Sequence, residues 1–367
     1  IGLNCSTGPD FMREPIRYLT ENARLPVSCI PNAGLPINTG VGEAVYPLEP
    51  GPMGETLGDF VHRLGVRVVG GCCGTTPTHL TRVVEAVQSP PSDAVRFTFV
   101  PVERDGWTRL ERPDAPDLAM VSSAIRATTL VQDPPPMLIG ERVNAQGSRK
   151  VKRLLLEDRY EDIVTVAREQ VEGGAHTLDV QVALTERGDE AAQMRTLVHL
   201  LSTAIEAPLV IDTTETDVVK AALEASPGRA IVNSINLERG RERIDAYLPL
   251  IKAHGAAVIA LTIDERGMAH EVERKVEVAK RIYDIVVGEY GLPSHDLIFD
   301  PQVFPVATGQ IELRDDAKWT VEGIRRIKAE CPGALTSIGV SNVSFGIAPP
   351  ARAVLNSVML YHCVEAG

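Results

Sequence analysis

APLVIDTTETDVVKAALEASPGRAIVNSIN, residues 207–236, packs a strand, a helix and a second strand into one short stretch. Leu209–Ile211 and Ala230–Val232 are apolar runs rich in β-branched side chains, and Val218–Ala225 carries apolar residues at helical spacing. The alternation continues on both sides. Further strands are expected at Met137–Gly140, Thr177–Val180, Ala257–Ile263, Leu297–Phe299 and Leu335–Val340. Helices are expected at Tyr160–Glu172, Glu190–Ala204, Arg241–His254, Val272–Tyr290, Ala317–Glu330 and Ala353–Val364. Strands alternating with helices imply βαβ units and a parallel sheet. Seven such strands without a glycine-rich phosphate loop fit a (β/α)8 barrel better than a doubly wound sheet. The eighth strand is expected after Gly367.

Upstream, Gly2–Asn4, Val27–Ile30 and Val66–Val69 read as strands, with helices at Pro9–Asn22, Met53–Leu64 and Pro77–Val87. Three βα units cannot close a barrel, so the remaining units are expected before Ile1. The fold class is therefore α/β, two (β/α)8 TIM-type barrels in tandem. The first is present only as its last three βα units (residues 1–88), and the second (137–367) lacks its eighth strand. Residues 89–136, with Pro90, Pro91, Pro101, Pro113, Pro116 and Pro134-Pro135-Pro136, have the composition of an interdomain linker, with a short strand at Val95–Val100. We read the chain as an internal segment of a longer protein.

The 367 residues are 44% hydrophobic and 23% charged, which is globular composition. A net charge of −12 speaks against a nucleic-acid partner, since phosphate contacts need clustered Lys and Arg. No apolar run approaches the ~20 residues that span a bilayer, and no leader-like pattern opens the chain. Six cysteines are too few for a disulfide scaffold, which points to a reducing, cytoplasmic compartment.

Nearly every strand of the second stretch finishes on a short acid or amide: Asn144, Asp179, Asp212, Asn233, Asp264, Asp300 and Asn342. In such barrels the C-terminal strand ends ring the active site. Carboxylates and amides gathered there suit a planar ligand with an aminopyrimidine edge, because a carboxylate accepts two parallel N–H bonds. Any one of them, Asp212-Thr213-Thr214-Glu215 in particular, could instead be helix-start chemistry. The shared phase is the signal.

Val68-Val69-Gly70-Gly71-Cys72-Cys73-Gly74-Thr75-Thr76-Pro77 reads as strand, glycine turn and helix start. Cys5 also ends a strand, so three sulfurs can meet at one mouth. Three thiolates on zinc would leave a fourth tetrahedral position open, a catalytic arrangement. Buried free thiols or a vicinal disulfide fit the spacing too, and no Cys-x-x-Cys pair decides between them. His62 and His79 fall on helices and read as surface or packing residues rather than ligands.

Gly70 to His79, with Gly2-Leu3-Asn4-Cys5 and Pro31-Asn32-Ala33-Gly34-Leu35-Pro36, resembles the C-terminal part of the zinc-dependent homocysteine S-methyltransferase barrels. Gly140-Glu141-Arg142-Val143-Asn144, Ile211-Asp212, Val232-Asn233-Ser234-Ile235, Phe299-Asp300-Pro301, Ala307-Thr308-Gly309 and Gly339 to Phe345 resemble the pterin-binding methyltransferases. In this order the two resemble the cobalamin-dependent methionine synthases. The resemblance implies zinc on Cys5, Cys72 and Cys73 to activate homocysteine, and a 5-methyltetrahydrofolate pocket lined by Glu141, Asn144, Asp212, Asn233, Asp264, Asp300 and Asn342. It implies transfer of the N5 methyl to cob(I)alamin, carried by a cobalamin-binding domain of the same longer polypeptide, and then to homocysteine to give methionine. Asn342 is expected to follow the protonation of N5, with Asp212, Asn233 and Asp300 gripping the pterin. The segment after Asp179 departs from the family pattern and leaves its role open. Two other readings are a dihydropteroate synthase-like pterin enzyme, which has no use for Cys72-Cys73, and a non-catalytic folate-binding fragment.

Overall fold

The computed structural model describes residues 1–38, 40, 44–104, 107–115 and 118–367, which form two compact units dividing between Leu118 and Ala119. The first unit holds β1 (Gly2–Asn4), α1 (Pro9–Asn22), β2 (Ser28–Ile30), α2 (Pro50–Arg63), β3 (Val68–Val69) and α3 (Pro77–Val87). Its strands form a parallel sheet in sequence order, Gly2 pairing with Ser28 and Cys29 with Val69. Met12 and Ile16 of α1, Met53, Leu57 and Phe60 of α2, and Val83 of α3 pack on Cys29 and Val27 as one buried cluster. Each helix offers apolar residues three or four apart to the same sheet face.

The Pro-rich stretch 89–136 is divided between the units. Its first part carries an antiparallel pair, β4 (Val100–Arg104) and β5 (Trp107–Glu111), rather than a strand over Val95–Val100. Residues 95–99 are irregular: the Val95 amide bonds the His62 carbonyl of α2, and the Arg112 guanidinium, just past β5, lies over the Phe97 ring.

The second unit opens with a hairpin, β6 (Met120–Ser122) and β7 (Ala127–Thr129). There follow β8 (Ile139–Asn144), α4 (Arg149–Leu156), α5 (Tyr160–Glu172), β9 (Thr177–Gln181), α6 (Glu190–Ala204), β10 (Leu209–Asp212), α7 (Thr216–Ala225), β11 (Ile231–Ile235), α8 (Glu242–His254) and β12 (Ala257–Leu261). A small antiparallel ribbon, β13 (Ile263–Asp264) and β14 (Gly267–Met268), precedes α9 (Val272–Tyr283), β15 (Leu297–Asp300), α10 (Asp316–Glu330), β16 (Leu335–Thr336) and α11 (Pro349–Ala366). The seven strands β8, β9, β10, β11, β12, β15 and β16 pair in parallel in sequence order. Ile139 of one edge strand and Leu335 of the other line a single cavity, so the sheet is curled.

Several expected boundaries move, among them the strand expected at Met137–Gly140, which runs over Ile139–Asn144, and the helix expected at Ala353–Val364, which runs over Pro349–Ala366. The strand from Ala257 stops at Leu261 because residues 263–268 fold back on themselves. The helix from Val272 passes at Asp284 into a π turn ending at Glu289. The strand from Leu335 gives way after Thr336, and Val340–Ser344 is a 3-10 turn. Among the described residues no helix is long and apolar enough to cross a membrane.

The period of two along each strand builds the inside in layers. Leu209 and Ile211 of β10, Val232 of β11, and Leu297 and Phe299 of β15 face the helices. Val210, Ile231, Ile259 and Ile298 turn inward as an apolar layer, joined by Val121 and Leu130 from the hairpin region. The hairpin is held there by Arg229, which donates to the Met120 carbonyl at 2.6 Å, while the Ser122 amide bonds the Arg229 carbonyl at 3.0 Å. Gly228 permits this contact, since a Cβ there would lie 2.0 Å from the Ser122 carbonyl oxygen. Two residues beyond the inward apolar layer come Asp212, Asn233 and Asp300.

Candidate functional site

Each unit gathers a set of chemically active side chains. In the first, the sulfurs of Cys5, Cys72 and Cys73 lie within 4.8 Å of one another. Cys5 and Cys73 are 3.8 Å apart, as are Cys72 and Cys73. Backbone geometry produces this convergence. Cys5 and Ser6 both adopt left-handed φ angles (59° and 63°), which non-glycine residues seldom do, and this bend turns the Cys5 side chain from the end of β1. The Cys72 amide bonds the Pro31 carbonyl at 2.8 Å, and the Cys73 amide bonds Asn32 Oδ1 at 3.2 Å. Gly74, at φ 77°, closes the turn against Tyr46, where a Cβ would come within 2.3 Å.

A hydrogen bond from the Ser6 backbone, then those from the Cys72 and Cys73 thiols, hold the Cys5 thiol below its ordinary range. The hydrogen bonds with Cys5 and then Cys73, together with burial, push Cys72 up. The three thiols are free rather than disulfide-bonded. Tetrahedral zinc with Zn–S bonds of about 2.3 Å places sulfurs about 3.8 Å apart, so the donor set fits zinc in both type and spacing. His62 and His79 are packing residues. His62 Nε2 meets the Ala86 carbonyl at 3.0 Å, and His79 joins the Thr76 cap to the Leu48 carbonyl at 2.8 Å. The sequence reading held Asn32 only as part of the Pro31–Pro36 motif and missed Tyr46, whose place beside the thiols comes from a tertiary contact without a local motif.

In the second unit a cavity of about 540 Å³ occupies the curl of the sheet. Glu141, Asn233, Asp300 and Asn342 are among its walls, with the apolar Val210, Ile259 and Ile298 also lining it and Asp179 level with Val210. Asn144 and Asp212 stand behind Asp179. Asn144 Oδ1 accepts from the amides of Gln146 and Gly147, which orients the side chain so that its Nδ2 donates to Asp179 at 2.7 Å and Asp212 at 2.9 Å. Asp212 is thus free of helix-start duty. The Thr213 hydroxyl accepts the Glu215 amide instead.

Asp179 sits deeper than the others. It pairs across the sheet with Val210 of the apolar layer, whereas Asp212 pairs with Asn233. Burial, then the neighbouring Asp212 charge, push its carboxyl up to about 7. Burial also lifts Asp212 and Asp300 to about 6 each. The cavity walls desolvate Glu141 in the same direction, although its side chain still meets solvent.

Asp264 is not brought to this cavity. It lies fully buried in β13, accepting from Arg266 at 3.1 Å, Arg274 at 2.6 Å and Arg281 at 3.4 Å. Burial alone would raise its carboxyl, but the bonds from Arg274 and Arg266 hold it below the ordinary range. The early end of β12 explains the difference. Asp264 lies three residues past the strand, inside the ribbon, rather than at the strand's rim.

Comparison with known proteins follows the same division. A family model described as pterin binding enzyme matches residues 140–367, and one described as homocysteine S-methyltransferase matches residues 1–87. The chain is 40% identical over 370 residues to a methionine synthase of Mycobacterium tuberculosis, and 40% identical over 375 residues to that of Mycobacterium leprae. Each match covers the whole of this chain and 29% of the relative. Among solved structures, dihydropteroate synthase of Xanthomonas albilineans, in complex with indole-2-carboxylic acid and 6-chloroguanine, superposes with a TM-score of 0.50 at 16% identity. It covers 68% of this chain and 90% of that one, a likeness that speaks for the fold alone.

Proposed function

The chain belongs to the pterin-binding enzyme family, and on that premise we propose that it is the methyl-handling part of a cobalamin-dependent methionine synthase. In this reading the two units are portions of two tandem barrels. The second binds 5-methyltetrahydrofolate, and the first holds zinc for homocysteine. The supporting observation is the presence, in one chain, of three thiols at zinc spacing and a cavity whose acids sit on an apolar floor.

The chemistry assigned to the cavity is departure of the N5 methyl toward a reduced cobalamin carried elsewhere in a longer protein. An amine nitrogen leaves poorly unless it gains a proton or a strong hydrogen bond. Asp179 keeps a proton close to neutral pH, and Asn144 ties it to Asp212. Asn342, exposed on the cavity wall, presents an amide that can donate or accept by rotation. Asn233 and Asp300 are placed to take the N–H groups of an aminopyrimidine edge.

In the first unit Cys5, Cys72 and Cys73 would hold zinc. Bound there, zinc would supply the Lewis acidity that lowers the pKa of a substrate thiol. Asn32 and Gly74 fix the turn that presents the sulfurs. A dihydropteroate synthase-like activity leaves these thiols without a task.

Metal analysis, titration with 5-methyltetrahydrofolate, and a methyl-transfer assay with cob(I)alamin added in solution test the proposal. Bound zinc, folate binding and methylation of the cobalamin are expected. A metal-free chain with no folate binding would refute it, and folate binding without transfer would leave only a binding fragment.

A further inference from the structure

Helix α9 turns Val272, Val276, Ala279 and Ile282 toward the core, and among them stands Lys275 with no exposed surface. The pattern calls for an apolar residue there. A buried ammonium persists where hydrogen bonds and opposite charge hold it. Its Nζ donates to the Pro301 carbonyl at 2.6 Å and the Gln302 carbonyl at 3.0 Å, the two carbonyls immediately after Asp300. The Thr320 hydroxyl of α10 donates to the same Gln302 oxygen at 2.9 Å. The lysine stem reaches this point across Gly323, where a Cβ would lie 3.1 Å from Lys275 Cδ.

The turn so held has an unusual shape. Gln302 adopts a left-handed φ of 56°, uncommon for a residue with a side chain. That bend sends its carbonyl toward the helices and its amide to Asp300 Oδ1, at 2.7 Å. One buried cation therefore fixes the outer side of a turn whose inner side orients a cavity carboxylate. The charged and titratable groups around the pair come from each neighbouring element. Asp316 of α10 is fully buried and accepts the Phe304 amide, His270 before α9 lies 3.5 Å from Asp316, and Glu141 of β8 acts on Asp300.

We propose that Lys275 is a positioning residue for Asp300, holding the 300–302 turn so that the carboxylate meets the amino edge of a pterin. This rests on the folate reading of the cavity. A plain structural role, cementing α9 to α10, predicts a different pattern of effects.

The test is a double-mutant cycle in the full chain. Lys275→Met is measured alone and with Asp300→Asn, using 5-methyltetrahydrofolate as ligand. The Asp300 carboxyl is titrated by carbon NMR in folate-free protein. Lys275→Met should weaken folate binding about tenfold with Asp300 present and less than about twofold in the Asp300→Asn background. The Asp300 carboxyl should titrate at higher pH once its nearest cation is gone. Equal loss in both backgrounds, or an unmoved Asp300 titration, would overturn the proposal. Should Lys275→Met not fold, Thr320→Val removes one donor to Gln302. It should weaken binding about threefold, again only with Asp300 intact. No change in either background would equally overturn the proposal. The carboxyl titration needs no folate, so it still reads the coupling of Lys275 to Asp300 where the wild-type chain binds none, a result that would count against the folate reading instead.

Discussion

Asp179→Asn should stabilise the chain, and only above a definite pH. The wild-type carboxyl moves from 3.8 to about 7 on folding. At about 1.4 kcal/mol per unit the full shift corresponds to about 4 kcal/mol. Coupling to Asp212 through Asn144 shares part of it, which leaves about 2–4 kcal/mol for this residue. The sign follows from which form the fold prefers. A folded pKa above the unfolded one favours the protonated native state, so the contribution is fully present below pH 3.8 and is lost as pH rises through about 7. Asparagine has no proton to lose, and its Oδ1 can still accept from Asn144 Nδ2. Urea unfolding between pH 4 and 8.5 should show the two proteins nearly equal at the acid end. The variant should lead by about 2–4 kcal/mol at the alkaline end. Curves that run parallel across this range would show that Asp179 is not a desolvated acid, and the proton assigned to the cavity would have no holder.

Three other substitutions separate the roles of the remaining groups. Cys72→Ser should bring the zinc content, measured by elemental mass spectrometry, to background while the folate dissociation constant stays within about twofold, and loss of both together would contradict two separate sites. Asn342→Ala should slow methyl transfer to cobalamin by about a hundredfold with less than about threefold change in folate binding, as expected for a group used when N5 is protonated; single-turnover rates beside equilibrium binding would decide it. Asp264→Asn should lower stability by about 3 kcal/mol, because Arg266, Arg274 and Arg281 lose their shared charge, and leave folate affinity unchanged. A marked loss of affinity there would return Asp264 to the cavity.

The helices were the most legible part of the sequence. Pro9–Asn22, Pro77–Val87, Tyr160–Glu172 and Glu190–Ala204 begin and end where the apolar spacing places them, with Thr76-Pro77 marking the start of the second. Parallel pairing in chain order followed from alternation alone. For the cavity, position after a strand identified Asn233 and Asp300, since the two-residue period carries an inward isoleucine to an inward polar residue. That rule failed at Asp264, where a ribbon hidden in an apolar run shifts the frame, and where the arginines that claim the carboxylate stand up to 17 residues downstream. It also said nothing about depth. Asp179 and Asp212 look alike in sequence, yet cross-strand pairing sets the first beside Val210. Lys275 was invisible for a related reason: a lysine within a helix reads as solvent-facing until the neighbouring helix supplies Gly323 beneath it.

The storeyed interior of the second unit separates what a mutation can change. Along β11 and β15, the polar residues of the cavity wall stand two positions from the apolar residues that seal the floor, and on the proposed reading they set ligand preference. A lineage could therefore drift toward a new heterocycle without loosening its scaffold. Asp179 escapes that division of labour, being lodged among the sealing residues, and substitutions there would be felt by chemistry and durability at once.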